Sequence, residues 1–267
     1  MQTTDEPTLK KRNLGWIRII IYPLILILFL FELVFVLAPY QKLNEYKQRV
    51  ASDSLFIASY DSVWNNSEFT DLIKEKTFKE ALRILSENDS IQLVINLRDS
   101  VVCLYINGVK IHQTNVKMIE TDLVLNNLNT MQYVYLFSKP LTVNSQYATI
   151  VKEPIVVRQA PKDTAEAAIN AYKPDTLMQN PAFLELRLPY EIDLIFEQEI
   201  TPNSPEEKAK NEFYKTLGGN KHLIAFKRFI RFNKQEYKPT ITIILPANDL
   251  RAIYRALPNE SYVVIKL

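Results

Sequence analysis

The chain has 267 residues, with 32 Lys and Arg against 30 Asp and Glu and a net charge of +2. That near balance excludes a strongly basic nucleic-acid binder. One cysteine, Cys103, excludes an internal disulfide framework, and four glycines disfavour phosphate-cradling loops. No Walker, G-x-G-x-x-G, H-E-x-x-H or C-x-x-C pattern occurs, so neither a cofactor nor a metal site is expected.

Residues 1–16 form a short polar tail. Residues 17–38, IRIIIYPLILILFLFELVFVLA, are almost wholly apolar and long enough to cross a bilayer as a helix. Lys10, Lys11, Arg12 and Arg18 lie at or before the start of this run, whereas Glu45 dilutes Lys42, Lys47 and Arg49 beyond it. The positive-inside rule then predicts a single-pass anchor with a cytoplasmic N-terminus and an exported remainder. Cleavage as a signal peptide is disfavoured, because the run is long and Pro39 follows the only small-residue site, Val36-Leu37-Ala38. Glu32 stands about two thirds of the way across. A carboxylate there either pairs with a partner's transmembrane helix or lies near enough to the outer surface to reach headgroups and water.

Residues 39–89 read as a helical stalk. Leu43, Tyr46, Val50, Ile57, Tyr60 and Trp64 fall at heptad spacing over 40–66, which suits either a homo-oligomeric coiled coil or a helix packed on the following domain. A second helix is expected from Ser67, its N-cap, to Asn88-Asp89.

At Ser90 the period becomes two. Ile91, Leu93, Ile95 and Leu97 face one way, and Gln92, Val94 and Asn96 the other. VVCLYINGVKIHQT reads as a hairpin around an Asn107-Gly108 type I′ turn. Counted from that turn, Leu104 faces Ile111 and Cys103 faces His112. A cysteine–histidine pair suits a thiolate nucleophile or half a metal site, or is a chance meeting on a sheet face. DLVLNN, QYVYLF and the stretch around ATIVKEPIVVRQ are expected to be strands, and residues 160–182 an Ala-rich helical insertion. FLELRLPYEIDLIFEQ resumes strand character. A helix then starts at Ser204 and Pro205, carries Glu207 in a capping box, and stops at Gly218-Gly219, with Phe213, Tyr214 and Leu217 docking on the sheet. HLIAFKRFIRF reads as a strand whose basic face, Lys227, Arg228 and Arg231, suits either an acidic polymer or a solvated edge.

The chain closes with strand, helix and strand: TITIIL, PANDLRAIYRAL and SYVVIKL. This end resembles that of the L,D-transpeptidase catalytic domain. Asp249, Ile253 and Tyr254 match that family's last helix, and Val263, Val264 and Ile265 match its closing strand. IQLVINLRDSVVCLYINGVKIHQTNV is similar to the family's opening strand and hairpin. The resemblance brackets residues 91–267 and implies a mixed, β-rich α+β fold over 90–267 with peripheral helices. It also implies that the catalytic Ser-His-Gly-Cys-hydrophobic-Arg segment has become Pro239-Thr240-Ile241-Thr242-Ile243-Ile244. The nucleophile position holds Thr242, the histidine position Thr240, and Leu194-Ile195-Phe196 holds no upstream histidine. A threonine hydroxyl without an adjacent base does not attack a peptide.

The implied protein is a pseudoenzyme of the bacterial inner membrane with a periplasmic domain, acting as an envelope scaffold. Its expected partners are the lipid bilayer, peptidoglycan and other envelope membrane proteins. Two other readings stand beside it. One is an active peptidoglycan-modifying enzyme with its nucleophile relocated to Cys103 or Thr242, and the other is an unrelated partner-binding α+β module.

Overall fold

The computed structural model describes residues 15–53, 55–56, 69–152, 180–218, 221–231, 233 and 235–267. Residues 1–14 of the polar tail, Ile57, Tyr60 and Trp64 of the heptad stripe, the Ser67 cap, residues 153–159 of the ATIVKEPIVVRQ stretch, Gly219 and nearly all of the 160–182 insertion lie outside these residues; of ATIVKEPIVVRQ only Ala148 is strand among those described. The chain divides into two compact units, one of residues 1–38 with 221–236 and one of residues 39–220 with 237–267.

The first unit contains most of the apolar part of helix α1, Gly15–Ser52. Among the described residues this is the one helix long and apolar enough to cross a membrane. Residues 21–30 are exposed along their whole length, and Phe31 and Ala38 are buried.

The second unit is mixed α+β, with two five-stranded mixed sheets. The first contains β1 (Gln92–Asn96), β2 (Val101–Ile106), β3 (Val109–Asn115), β5 (Leu141–Thr142) and β10 (Tyr262–Lys266), in the order β3-β2-β1-β10-β5. The second contains β4 (Met118–Thr121), β6 (Ser145–Ala148), β7 (Phe183–Arg187), β8 (Asp193–Gln198) and β9 (Thr240–Leu245), in the order β4-β9-β8-β7-β6. Each sheet has one parallel pair at its heart, β1 with β10 and β8 with β9.

The two sheets share one core. Leu93, Ile95, Val102, Leu104, Val263 and Ile265 enter it from the first sheet, and Leu184, Leu186, Leu194, Phe196, Ile241 and Ile243 from the second. Burying a side chain of this size contributes about 1.5–3 kcal/mol, so the core is held by packing, as a chain without disulfides requires.

Helices close the open sides. α2 (Thr70–Leu85) lays Phe78, Ala81 and Leu85 on Val94, Cys103 and Val264. It ends at Leu85, three residues before Asn88, whose side chain instead accepts bonds from the Ser90 and Gln92 nitrogens. α5 (Pro205–Gly218) starts and stops at the expected residues, but the expected capping box does not form: Glu207 accepts from the Asn203 N–H, and the Glu207 N–H donates to the Ser204 carbonyl, not its hydroxyl; the helix buries Phe213 against Phe183 and Ile195. α7 (Ala247–Ala256) joins β9 to β10 and buries Leu250, Ile253 and Tyr254. The segment read as a stalk belongs to this unit: Tyr46 lies in the main core, with Leu43 packed against it.

Three sequence expectations are corrected. DLVLNN and QYVYLF are helices, α3 (Leu123–Asn126) and α4 (Thr130–Phe137). Asp122 accepts the Val124 N–H, and Asn129 and Gln132 form a reciprocal capping box, so local capping overrides the strand propensity of the tyrosines and valine. Residues 222–230 of HLIAFKRFIRF are also helical, within α6 (Lys221–Ile230). The hairpin keeps its turn, with Asn107 at φ 47° and Gly108 at φ 75°, but a bulge between Leu104 and Tyr105 shifts the pairing by one residue. Leu104 therefore faces His112 and Cys103 faces Gln113, so the expected Cys103–His112 pair does not form.

Candidate functional site

The residues that the resemblance singles out lie on β9. Its side chains alternate: Ile241, Ile243 and Leu245 are fully buried in the core, while Thr240, Thr242 and Ile244 point to the other face of the sheet. There Thr242 stands between Glu120 of β4 and Ile195 of β8. Strand alternation puts Asp193, Ile195 and Glu197 of β8 on the same outer face, beside Phe183, Glu185 and Arg187 of β7.

α5 lies over one end of this face. Phe213 packs on Phe183, with ring centroids 5.5 Å apart. One turn of the helix brings Lys210 and Tyr214 together over Glu197. This carboxyl group is nearly fully buried; Lys210 Nζ approaches it at 2.5 Å, and the Tyr214 hydroxyl donates to its other oxygen. Burial first, and then Glu197, push the Tyr214 phenol well above its ordinary range, while a hydrogen bond with Thr242 opposes the shift. The face over Thr242 is thus occupied by a structural polar network. The sequence carried a signal for it: acidic residues alternating inside an otherwise apolar strand, and a lysine and tyrosine four apart on the next helix.

Cys103 is only 5 % exposed beneath α2. Burial raises its thiol pKa, against a smaller lowering by Lys110. His112 turns a different way, and its Nε2 is buried without a hydrogen-bond partner. Among the described residues no group of three His, Cys, Asp or Glu side chains is placed to hold a metal ion.

A second feature of this unit is a cleft of about 720 Å³ lined by Phe56, Tyr135, Lys139, Pro140, Pro189 and Tyr190, among others. Its aromatic wall is continuous, with Tyr135 5.1 Å from Phe56 and 5.8 Å from Tyr190 between ring centroids. Tyr190 and Glu191 both adopt left-handed backbone conformations, φ 62° and 63°, in the tight turn between β7 and β8. Side chains without glycine's freedom hold such angles only where their surroundings enforce them.

The remaining candidates lie in the first unit. Lys227, Arg228 and Arg231 sit on and just beyond α6, not on a strand, and line one hollow together with Asn233 and Glu236. Glu32 is exposed beside buried Phe31. No family model, curated protein or solved structure matches the chain.

Proposed function

We propose that this protein is a single-pass membrane-anchored, non-catalytic scaffold whose transpeptidase-like domain stands in the bacterial periplasm and binds the cell wall or an envelope partner. The observation that carries the reading is the setting of Thr242 on the outer face of β9: its hydroxyl is tied by a hydrogen bond to Tyr214, whose phenol is itself held by the buried Glu197 carboxyl group. Its strand neighbours are Glu120 and Ile195, so the histidine-and-cysteine chemistry of the resemblance has no counterpart there. The order of elements supports the resemblance at both ends, since an opening strand and hairpin and a closing strand–helix–strand meet as β1 and β10 in one sheet. Retention of the apolar segment is supported by Phe31, whose ring contacts with Phe226 and Phe229 cleavage at Ala38 would abolish. The aromatic cleft at Tyr135 and Tyr190 supplies a surface for a partner, and Glu32 a polar contact for a neighbouring transmembrane helix.

The test is co-sedimentation of the purified full chain in detergent with cell-wall sacculi, followed by mass spectrometry of the muropeptides. Binding with unchanged muropeptides is expected. New or trimmed crosslinks that disappear in Cys103→Ala or Thr242→Ala would establish the rival enzyme. Retention neither on sacculi nor on membrane partners would defeat the scaffold reading.

A further inference from the structure

α6 has the sequence KHLIAFKRFI. At about 100° per residue, Ala225, Phe229, Phe226, Ile230 and Leu223 lie on one half of the helix. Lys227 and Arg228, with Arg231 just beyond the helix, lie on the other half, with the exposed Ile224 between them. The middle of the apolar arc is already used. Phe226 and Phe229 hold Phe31 of α1 at centroid distances of 5.3 and 5.7 Å, and Ala225 is buried. The flank of the same arc is not covered: Leu223 is 48 % and Ile230 56 % exposed. The cationic side borders a hollow of about 600 Å³ lined by Ile224, Lys227, Arg228, Arg231, Asn233 and Glu236. Glu236 pairs with Arg228 at 2.9 Å, and among the described residues Lys227 and Arg231 have no carboxylate partner.

We infer that α6 is an interfacial helix that docks on anionic phospholipids in the leaflet nearer Ala38, resting on the reading of α1 as a membrane span. Depth favours this. Phe31 lies seven residues before Ala38, about 10 Å along the helix axis. That agrees with the roughly 5–10 Å at which amphipathic helices embed their apolar face at the headgroup boundary. The remaining apolar flank then continues the lipid-facing surface of α1, and the three cations, against one carboxylate, meet lipid phosphates. A protein partner would need to match both an acidic surface and an apolar strip at this depth, whereas an anionic leaflet supplies both.

The test uses the full chain in a Cys103→Ser background, reconstituted into vesicles of zwitterionic lipid or vesicles enriched in phosphatidylglycerol. An environment-sensitive fluorophore is placed at Ile230→Cys, Val36→Cys or Val109→Cys, and quenched by lipids labelled at defined depths. Val36 reports the span, and Val109, 62 % exposed on β3, is the comparison site in the other unit. Deep quenching at Val36, shallow quenching at Ile230 and none at Val109 are expected. The Ile230 signal should be stronger in phosphatidylglycerol, and each of Lys227→Gln and Arg231→Gln should lower its docked-to-undocked ratio about five-fold there. Quenching at Val36 without quenching at Ile230 would overturn the docking while leaving the span intact. No quenching at Val36 would overturn the span and the docking with it. An Ile230 signal that responds to added peptidoglycan but not to lipid would assign the cations to the wall and overturn the proposal.

Discussion

Lys42 Nζ lies 2.6 Å from Glu191 Oε2, and the lysine side chain is almost wholly buried while the glutamate is half exposed. Glu45 approaches the same nitrogen at 3.4 Å. One turn further along α1, the Tyr46 hydroxyl donates to the Tyr190 carbonyl at 2.7 Å. The last turns of the long helix therefore grip the turn between β7 and β8 at its two left-handed residues. A lysine that reads as an ordinary flanking charge after an apolar run is instead a fastening point of the folded domain.

Glu191→Ala should destabilise this unit by about 1–3 kcal/mol, because it removes the closest partner of a buried ammonium and leaves Glu45 at longer range. Lys42→Met should cost less, since its apolar stem is kept and the residual carboxylate reaches water. Chemical denaturation of both variants in detergent, followed by far-ultraviolet circular dichroism, checks the order. Equal losses would show that the pair acts only through its packing.

Burial raises the phenol pKa of Tyr46, Tyr133, Tyr214 and Tyr237 above the ordinary value near 10, that of Tyr133 to about 12. The unfolded chain then releases these protons first as pH rises. The folded state binds more protons between the two pKa values, so stability is fully present below about pH 10 and falls above it. Denaturation midpoints should be flat from pH 7 to about 9.5 and then drop. In parallel, phenolate absorbance should show part of the 14 tyrosines ionising only on unfolding. A midpoint unchanged at about pH 11 would contradict the burial of these hydroxyls.

Gly108 occupies φ 75°, and a Cβ there would stand 2.8 Å from the Ser86 Cβ. Gly108→Ala adds left-handed strain of about 1 kcal/mol and forces the end of α2 away from the hairpin. A loss of about 2 kcal/mol or more is expected, read as a lowered thermal midpoint. Asn107→Gly, at φ 47° in the same turn, should be close to neutral.

The parts of the fold that were legible in the sequence are those with redundant local signals. Pro205 and Gly218 punctuate α5, Asn107-Gly108 marks the hairpin, and Ile241, Ile243 and Leu245 alternate along β9. What was hidden depended on tertiary context. The bulge at Leu104 moved Cys103 away from His112 by a single residue, which no pattern of apolar residues in that hairpin records. HLIAFKRFIRF reads as a strand at a period of two, whereas its apolar residues also gather on one side at the helical period, the side that meets Phe31 through Phe226 and Phe229. QYVYLF favours a strand by composition, and its capping box with Asn129 decides otherwise. The network beside Thr242 stayed hidden: Glu197 is an acid in an otherwise apolar strand, but its partners come from a helix that the strand alone cannot place.

That network supplies the last prediction. Glu197 is nearly fully buried, Lys210 is about a third exposed, and Tyr214 donates to the same carboxyl group. Lys210→Met leaves the buried carboxyl with tyrosine as its main donor and should cost about 1–3 kcal/mol. Glu197→Leu removes the acceptor and strands the Tyr214 hydroxyl, with a comparable loss. The triple variant Glu197→Leu, Lys210→Met, Tyr214→Phe removes all three polar groups together, leaving only the partly exposed Thr242 hydroxyl to find water, and should recover much of the stability, since apolar replacement of a buried pair is often neutral. Urea midpoints of the three proteins read the coupling directly. Additive losses would mean that the three side chains act independently, and that α5 is held over Thr242 by Phe213 and its apolar neighbours alone.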